Sequence, residues 1–249
     1  MSVQHYGGVL NATVLFGVAS AAYKRIQPED STPDPNSINC DSLVPIVFSA
    51  AAIEAFFNEL PGLLSMFPEL LHLEPSQIPI YVQQAKELVN KRDHTGSTGN
   101  KYLLAYSTLS GRDCDKGDSP YQDFASLFAA RDGILHAKST TFSGKADPDG
   151  KLDMVVSEEL LKRFRAKGLL NNSRHSVSIP WTDASGSTTD LQVDVPILWS
   201  LQIANPTAAR WACNTAAAVV KSIVDVVPEC QHKHNLQRYC TGFKPISSD

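Results

Sequence analysis

The stretch from Val47 to Leu60 constrains the fold more than any other part of the chain. It reads Val47-Phe48-Ser49-Ala50-Ala51-Ala52-Ile53-Glu54-Ala55-Phe56-Phe57-Asn58-Glu59-Leu60. Its small residues let a second helix approach closely, and its large apolar residues fill the gaps that remain. Pro45 falls in the first turn, where proline is tolerated, and Pro61-Gly62 is a stop signal. A helix over 42–60 is predicted, with at least one other packed tightly on it.

Other segments supply the partners. Leu10, Val14, Val18 and Ala21 recur at helical spacing and predict a helix over 7–27, stopped by Pro28. A polar loop runs on to residue 40. A third helix is expected over 77–92, followed by a Gly/Ser/Thr run at 95–99. For 119–137, Ser119 reads as the N-cap, Pro120 as the first helical residue and Gln122 as the end of a capping box. Phe124, Leu127, Phe128 and Leu135 would share one face. Asn205-Pro206 opens an alanine-rich helix that runs to Pro228. Between 139 and 200 the character changes. Asp147-Pro148-Asp149-Gly150 is a turn, a short helix fits 157–167 up to Gly168, and Ser176–Trp181 and Thr188–Val195 alternate like strands around the loop Asp183–Ser187. The fold class expected is mainly α: one domain over 1–249, with a helical bundle from 7–138 and 206–227, a small α+β insertion at 139–200 and an irregular C-terminal tail at 229–249.

Composition bounds the function. With 249 residues and 43% apolar content the chain can bury a proper core. A net charge of −4 excludes a protein that coats nucleic acid with a broad basic surface, so any RNA contact must be local. The five cysteines, at 40, 114, 213, 230 and 240, are scattered and odd in number, which argues for a reducing compartment. No charged residue precedes Lys24, and Ala19-Ser20-Ala21 resembles a cleavage site, but the basic region of a signal peptide is missing. The stretch reads as a core helix. No other stretch reads as long and apolar enough to span a bilayer, so a cytoplasmic location without membrane contact is expected.

The chemistry concentrates in Arg131-Asp132-Gly133-Ile134-Leu135-His136. Arg131 lies seven residues after Phe124, four after Leu127 and three after Phe128, on the apolar face of its own helix. An inward guanidinium is costly unless a carboxylate or hydrogen bonds satisfy it. Asp132 and His136 are four apart and share a face; an Asp one turn before a His orients the ring and favours its charged form. Gly133 between them costs about 1 kcal/mol in a helix interior. Glu54 lies seven residues after Val47 and three after Ala51, bordering a packing stripe, and is the natural partner of Arg131. If that pair is fully buried, breaking it costs about 3–5 kcal/mol. On periodicity alone the arrangement reads first as a structural pin, with His136 capping the helix C-terminus, and second as a functional site.

The run Arg131 to Lys138 resembles the R-x4-H motif of the HEPN family (higher eukaryotes and prokaryotes nucleotide-binding). The segment Phe48 to Leu60 is similar to the alanine-rich, Glu-bearing second helix of many bacterial members. The resemblance covers 7–138 and 206–227; the segment 139–200 has no counterpart in the minimal bundle. It implies a HEPN-like bundle and a metal-independent endoribonuclease, often of toxin or antiviral type, with a composite site across a homodimer. Catalysis would fall to Arg131, His136 and Asp132, structural support to Glu54 and substrate binding to Lys138. The chemistry suits those residue types: histidine, with a reference pKa of about 6.5, exchanges protons near neutrality, and arginine binds phosphate oxygens as a fork. Non-catalytic relatives act as binding or partner modules, which leaves that reading as the rival. A small antitoxin or a nucleotidyltransferase is the partner the resemblance implies, and such a genomic neighbour would separate the two readings.

Two further constellations carry metal-ligating residue types. Cys230, His232, His234 and Cys240 offer four possible zinc ligands, but without C-x2-C or H-x3-H spacing. Asp147, Asp149, Asp153 and Glu158 mimic a calcium loop but place Leu152 where the turn needs glycine. Neither a metal nor a cofactor is expected. His72, His94 and His175 are isolated, and no Walker, dinucleotide or nucleophile-elbow motif occurs.

Overall fold

The structure is a computed structural model. It describes residues 11–26, 38–66, 97–136, 143–146, 152–155, 159–171, 174–182, 186–196, 199–227 and 233–247. These are mainly α-helical: α1 (Asn11–Ile26), α2 (Leu43–Met66), α3 (Thr98–Ser110), α4 (Tyr121–Leu135), α5 (Glu159–Ala166), α6 (Trp199–Gln202), α7 (Pro206–Asp225) and α8 (Lys233–Tyr239). Two antiparallel hairpins accompany them. β1 (Ser143–Ala146) pairs with β2 (Leu152–Val155), and β3 (Arg174–Thr182) pairs with β4 (Thr188–Pro196), Thr182 opposite Thr188. The helix expected over 77–92 lies outside the described residues.

Helix α2 is the hub, packed by α1, α7, α4 and α3. Ala50 and Ala52 on α2 and Ala209, Ala212 and Ala216 on α7 are completely buried. Their small side chains let the two axes come close, and Ile53, Phe56 and Phe57 fill the space around them. At that contact the buried Ser49 Oγ donates to Cys213 Sγ at 3.7 Å. Burial pushes the Cys213 thiol up to about 11, so it packs as a neutral apolar group.

Several expectations are corrected. Helix α2 runs through Pro61 to Met66 instead of stopping at 60. Leu60 and Leu63 are both buried, and their burial holds the helix together across the hydrogen bond that proline cannot make. Helix α2 is also long and apolar enough to cross a membrane, contrary to the sequence reading, although half of that window is buried within the fold. On α1 the buried stripe is Ala12, Phe16, Ala19 and Tyr23, while Val14 is half exposed. Both stripes have helical spacing; the one carrying the two aromatics has more apolar area to remove from water.

Helix α4 starts at Tyr121, and Pro120 occupies the capping position without a side-chain cap. The expected capping box does not form. Ser119 Oγ donates to the Asp123 carboxylate and Gln122 Nε2 to the Lys116 carbonyl, so both side chains are engaged elsewhere. Leu135, assigned to the apolar face, is exposed. Helix α3 was not anticipated at all. Ser97 Oγ accepts the Asn100 N–H at 3.3 Å, and Gly111 closes the helix at φ 69°, a left-handed cap that glycine adopts without strain.

The segment 229–249 is not simply irregular. It contains α8, buries Leu236 and returns Phe243 to the core, with ring centroids 4.7 Å from Phe16 and 6.4 Å from Phe56. Asn214 on α7 holds the segment that follows: its Oδ1 accepts the Ile246 N–H at 2.7 Å and its Nδ2 donates to the Ile246 carbonyl at 3.2 Å. At Gly242 a β-carbon would stand 2.4 Å from the Thr13 methyl, so only glycine allows the tail to cross α1 this closely.

The α4–α5–α7 junction turns on Asp123, which accepts from Ser119, from Lys167 and, at 3.2 Å, from Trp211 Nε1. Burial alone would raise its carboxyl; the hydrogen bonds from Lys167, Ser119 and Trp211, with the Lys167 charge, outweigh burial and hold it below the ordinary value. The stabilisation is therefore fully present above the unfolded-state pKa of about 3.9 and is lost as pH falls through the lower folded-state value. Asp123→Asn is expected to cost about 1–2 kcal/mol at pH 6, the worth of hydrogen bonds to a charged group. That deficit should shrink as pH falls through the lowered folded-state value. Urea titrations of both proteins across this range test it; a deficit that stays constant would dissociate Asp123 from acid sensitivity.

Candidate functional site

Helices α2, α3 and α4 converge on a polar cluster. Arg131 on α4 points back to α2, where its Nη1 donates to Glu54 Oε2 at 2.7 Å. Its other edge closes on the neighbouring Asp132, with Nε and Nη2 at 2.9 and 2.8 Å from the single oxygen Oδ1. The guanidinium carbon lies 4.7 Å from the Phe128 ring centroid, one turn earlier on the same helix. The pairing of Glu54 with Arg131 follows from α2 and α4 packing directly, which brings the two stripe-bordering polar positions face to face.

The ion pair is not fully buried. Arg131 is 21% exposed, Glu54 43% and Asp132 56%. Screening by water therefore reduces its worth from the fully buried figure to roughly 0–1 kcal/mol. Glu54→Ala is expected to shift the melting temperature by no more than about 4 °C. A loss of more than about 10 °C by scanning calorimetry would show that the pair carries the junction.

His136 closes α4. Its backbone N–H donates to the Asp132 carbonyl at 2.9 Å, its φ and ψ leave the helical region, and the residue is exposed. The Asp132 carboxylate, which the spacing could send to either neighbour, is on Arg131. Of the two tasks expected of Asp132, holding the arginine is the one the geometry displays. Lys138 lies outside the described residues.

Two residues join the cluster that sequence reasoning passed over. Lys101 on α3 donates from Nζ to Asn58 Oδ1 at 2.7 Å, and Asn58 stands one turn beyond Glu54 on α2. Partial burial pulls the Lys101 ammonium down from its ordinary value, and the nearby negative charge of Glu54 offsets only part of that. Asn58 was within the segment already singled out, at i+4 from Glu54. Lys101 could have been found only by recognising α3 as a helix.

The zinc constellation is less favourable in place. Cys240 packs against the core, and burial pushes its thiol up to about 12; the His234 ring meets Gln237 Oε1 at 3.2 Å. Cys230 and His232 lie outside the described residues. Among the described residues no group of three metal-ligating side chains converges.

No protein-family model, no curated protein and no solved structure matches this chain. What the site does must come from its own geometry and from the resemblance of its motif.

Proposed function

We propose that the chain is a HEPN-like, metal-independent endoribonuclease in which Arg131, Asp132 and His136 act on RNA, with Lys138 beside them. The observation that carries this reading is Arg131. Its guanidinium is clamped at 2.7 Å by a carboxylate from another helix, yet it keeps access to solvent, and an exposed histidine ends the same helix. A purely structural pin does not need that access.

In this mechanism a basic imidazole takes the proton of the RNA 2′-OH. The 2′-oxygen attacks the adjacent phosphorus, the bond to the 5′-oxygen breaks, and an acidic imidazole returns a proton to that leaving oxygen. Products are a 2′,3′-cyclic phosphate and a free 5′-OH. Arginine stabilises the charge that gathers on the phosphorane oxygens. One chain offers a single His136 for two roles, so the reading calls for a homodimer with the ends of α4 at the two-fold axis. The exposed Leu135 beside His136 supports a covered interface there. A defence or toxin setting in the cytoplasm, with an antitoxin or nucleotidyltransferase as partner, belongs to the same proposal.

One feature favours the non-catalytic alternative. Both edges of Arg131 are already occupied by carboxylates, and Asp132 must swing away before a phosphate can use the fork. A module that binds without cutting would tolerate this better than a fast enzyme. Purified protein incubated with total RNA and excess chelator separates the two. Cleavage with cyclic-phosphate ends supports the enzyme; intact RNA that co-purifies with the protein supports the module.

A further inference from the structure

We infer that Lys101 is a second phosphate-contacting residue of this cleft, holding the RNA backbone one helical turn along α2 from the phosphate at Arg131. The inference rests on the RNA reading above. Its first support is charge. Glu54 and Asp132 together over-neutralise Arg131, so these three groups alone are formally negative and would repel a phosphate. Among the described residues Lys101 is the cation placed against the same stretch of α2; it brings the four groups to neutrality, so that the swing of Asp132 away from Arg131 leaves a net positive charge for a phosphate.

The second support is placement. Glu54 and Asn58 are four residues apart on α2, so they stack on one helix face about 6 Å from each other. Arg131 is anchored to the first and Lys101 to the second, each at 2.7 Å, from helices on different parts of the chain. The two cations are thus set side by side along one edge. An ammonium has three donors, and the contact with Asn58 uses one. Asn58 is exposed and Lys101 only half-buried, so the remaining donors can be reached from solvent.

The competing role for Lys101 is a brace between α3 and α2. Lys101→Gln separates the two, because a glutamine amide can still donate to Asn58 Oδ1 while the charge is gone. The experiment uses the full chain carrying His136→Ala, so that bound RNA is not consumed. Binding of a fluorescein-labelled single-stranded RNA is read by anisotropy between 50 and 300 mM salt, alongside a thermal melt of each protein. If Lys101 contacts phosphate, Lys101→Gln weakens binding by about 3–10-fold and reduces the slope of log K against log salt by about 0.7, the share of one phosphate contact on a single strand. Lys101→Arg restores both values. Unchanged affinity and slope in Lys101→Gln would overturn the inference and leave the RNA reading standing. Equal weakening in Gln and Arg variants, with a lowered melt, would assign Lys101 to the brace and also overturn it. If the parent chain binds no RNA in this range, the RNA reading falls and the inference falls with it.

Discussion

His136→Ala is expected to slow RNA cleavage by about 10²–10⁴-fold, the usual worth of a positioned proton-transfer group. RNA affinity should change little, because attraction to the backbone comes from the cations and not from the imidazole. Arg131→Ala should behave differently. It removes the fork that steadies the phosphorane and leaves Glu54 and Asp132 facing each other without their counter-charge, so rate and affinity fall together. Arg131→Lys should recover part of the affinity and little of the rate, since an ammonium cannot hold two oxygens in one plane. The deciding measurement is the initial rate of cleavage of a short labelled RNA in chelator, with end-group analysis of the products. A substrate carrying 2′-deoxyribose at the cut site should resist. Cleavage of that substrate, or loss of activity on chelation, would remove 2′-oxygen attack from consideration.

Tyr102→Ala is expected to cost about 3–5 kcal/mol, the range for emptying a large aromatic site in a core. Tyr102 is completely buried, and its ring lies 5.3–5.7 Å from the rings of Phe57, Tyr121 and Phe124, which come from α2 and α4. It is the peg through which α3 holds the other two helices. Tyr102→Phe should cost only about 1 kcal/mol. The hydroxyl meets Ser222 Oγ at 2.9 Å, and Ser222 Oγ itself donates to the Val219 carbonyl at 2.7 Å, so the tyrosine must be the donor. Removing it leaves Ser222 still hydrogen-bonded. Burial pushes the Tyr102 phenol up to about 12, which keeps that donor in place through the alkaline range. Urea unfolding of both variants checks the ratio; similar losses would place the energy in the hydrogen bond and not in the ring.

What could be read in the sequence was the local signal that survives without knowing its neighbours. The alanine-rich face of 47–60 and the Asn205-Pro206 start of α7 each depend on spacing within one segment, and Glu54 and Arg131 could be matched because each borders an apolar stripe of its own helix. Asn205 illustrates why: its Oδ1 caps Ala208 at 2.9 Å whatever packs nearby. The failures needed tertiary knowledge. Two stripes on α1 had equal periodicity, and the one with the larger apolar area is the one that α2, α7 and the returning Phe243 cover. Pro61 is a helix breaker by local rule and is overridden by the burial of Leu60 and Leu63. The capping side chains at 119–122 were counted on to bond their own helix, yet Asp123 and the Lys116 carbonyl compete for them. Ser97, Tyr102, Leu109 and Gly111 do spell out α3, but the Gly/Ser/Thr run just before it masked the start. Missing α3 concealed Lys101 and with it part of the site.

The way Phe243 and Gly242 lie across α1 has a consequence for how the chain is made. Phe16 belongs to the first helix described and its ring partner to the last stretch, so α1 cannot complete the burial of Phe16 before the ribosome has synthesised the chain up to Phe243. Until that segment emerges, the sides of Phe16 and of Phe56 on α2 that face Phe243 remain open to water. Native-like protection of α1 should thus be completed only once the segment carrying Phe243 is available. A chain stalled at residue 227 on the ribosome should be cleaved by protease within α1, while release of the full chain should close that site.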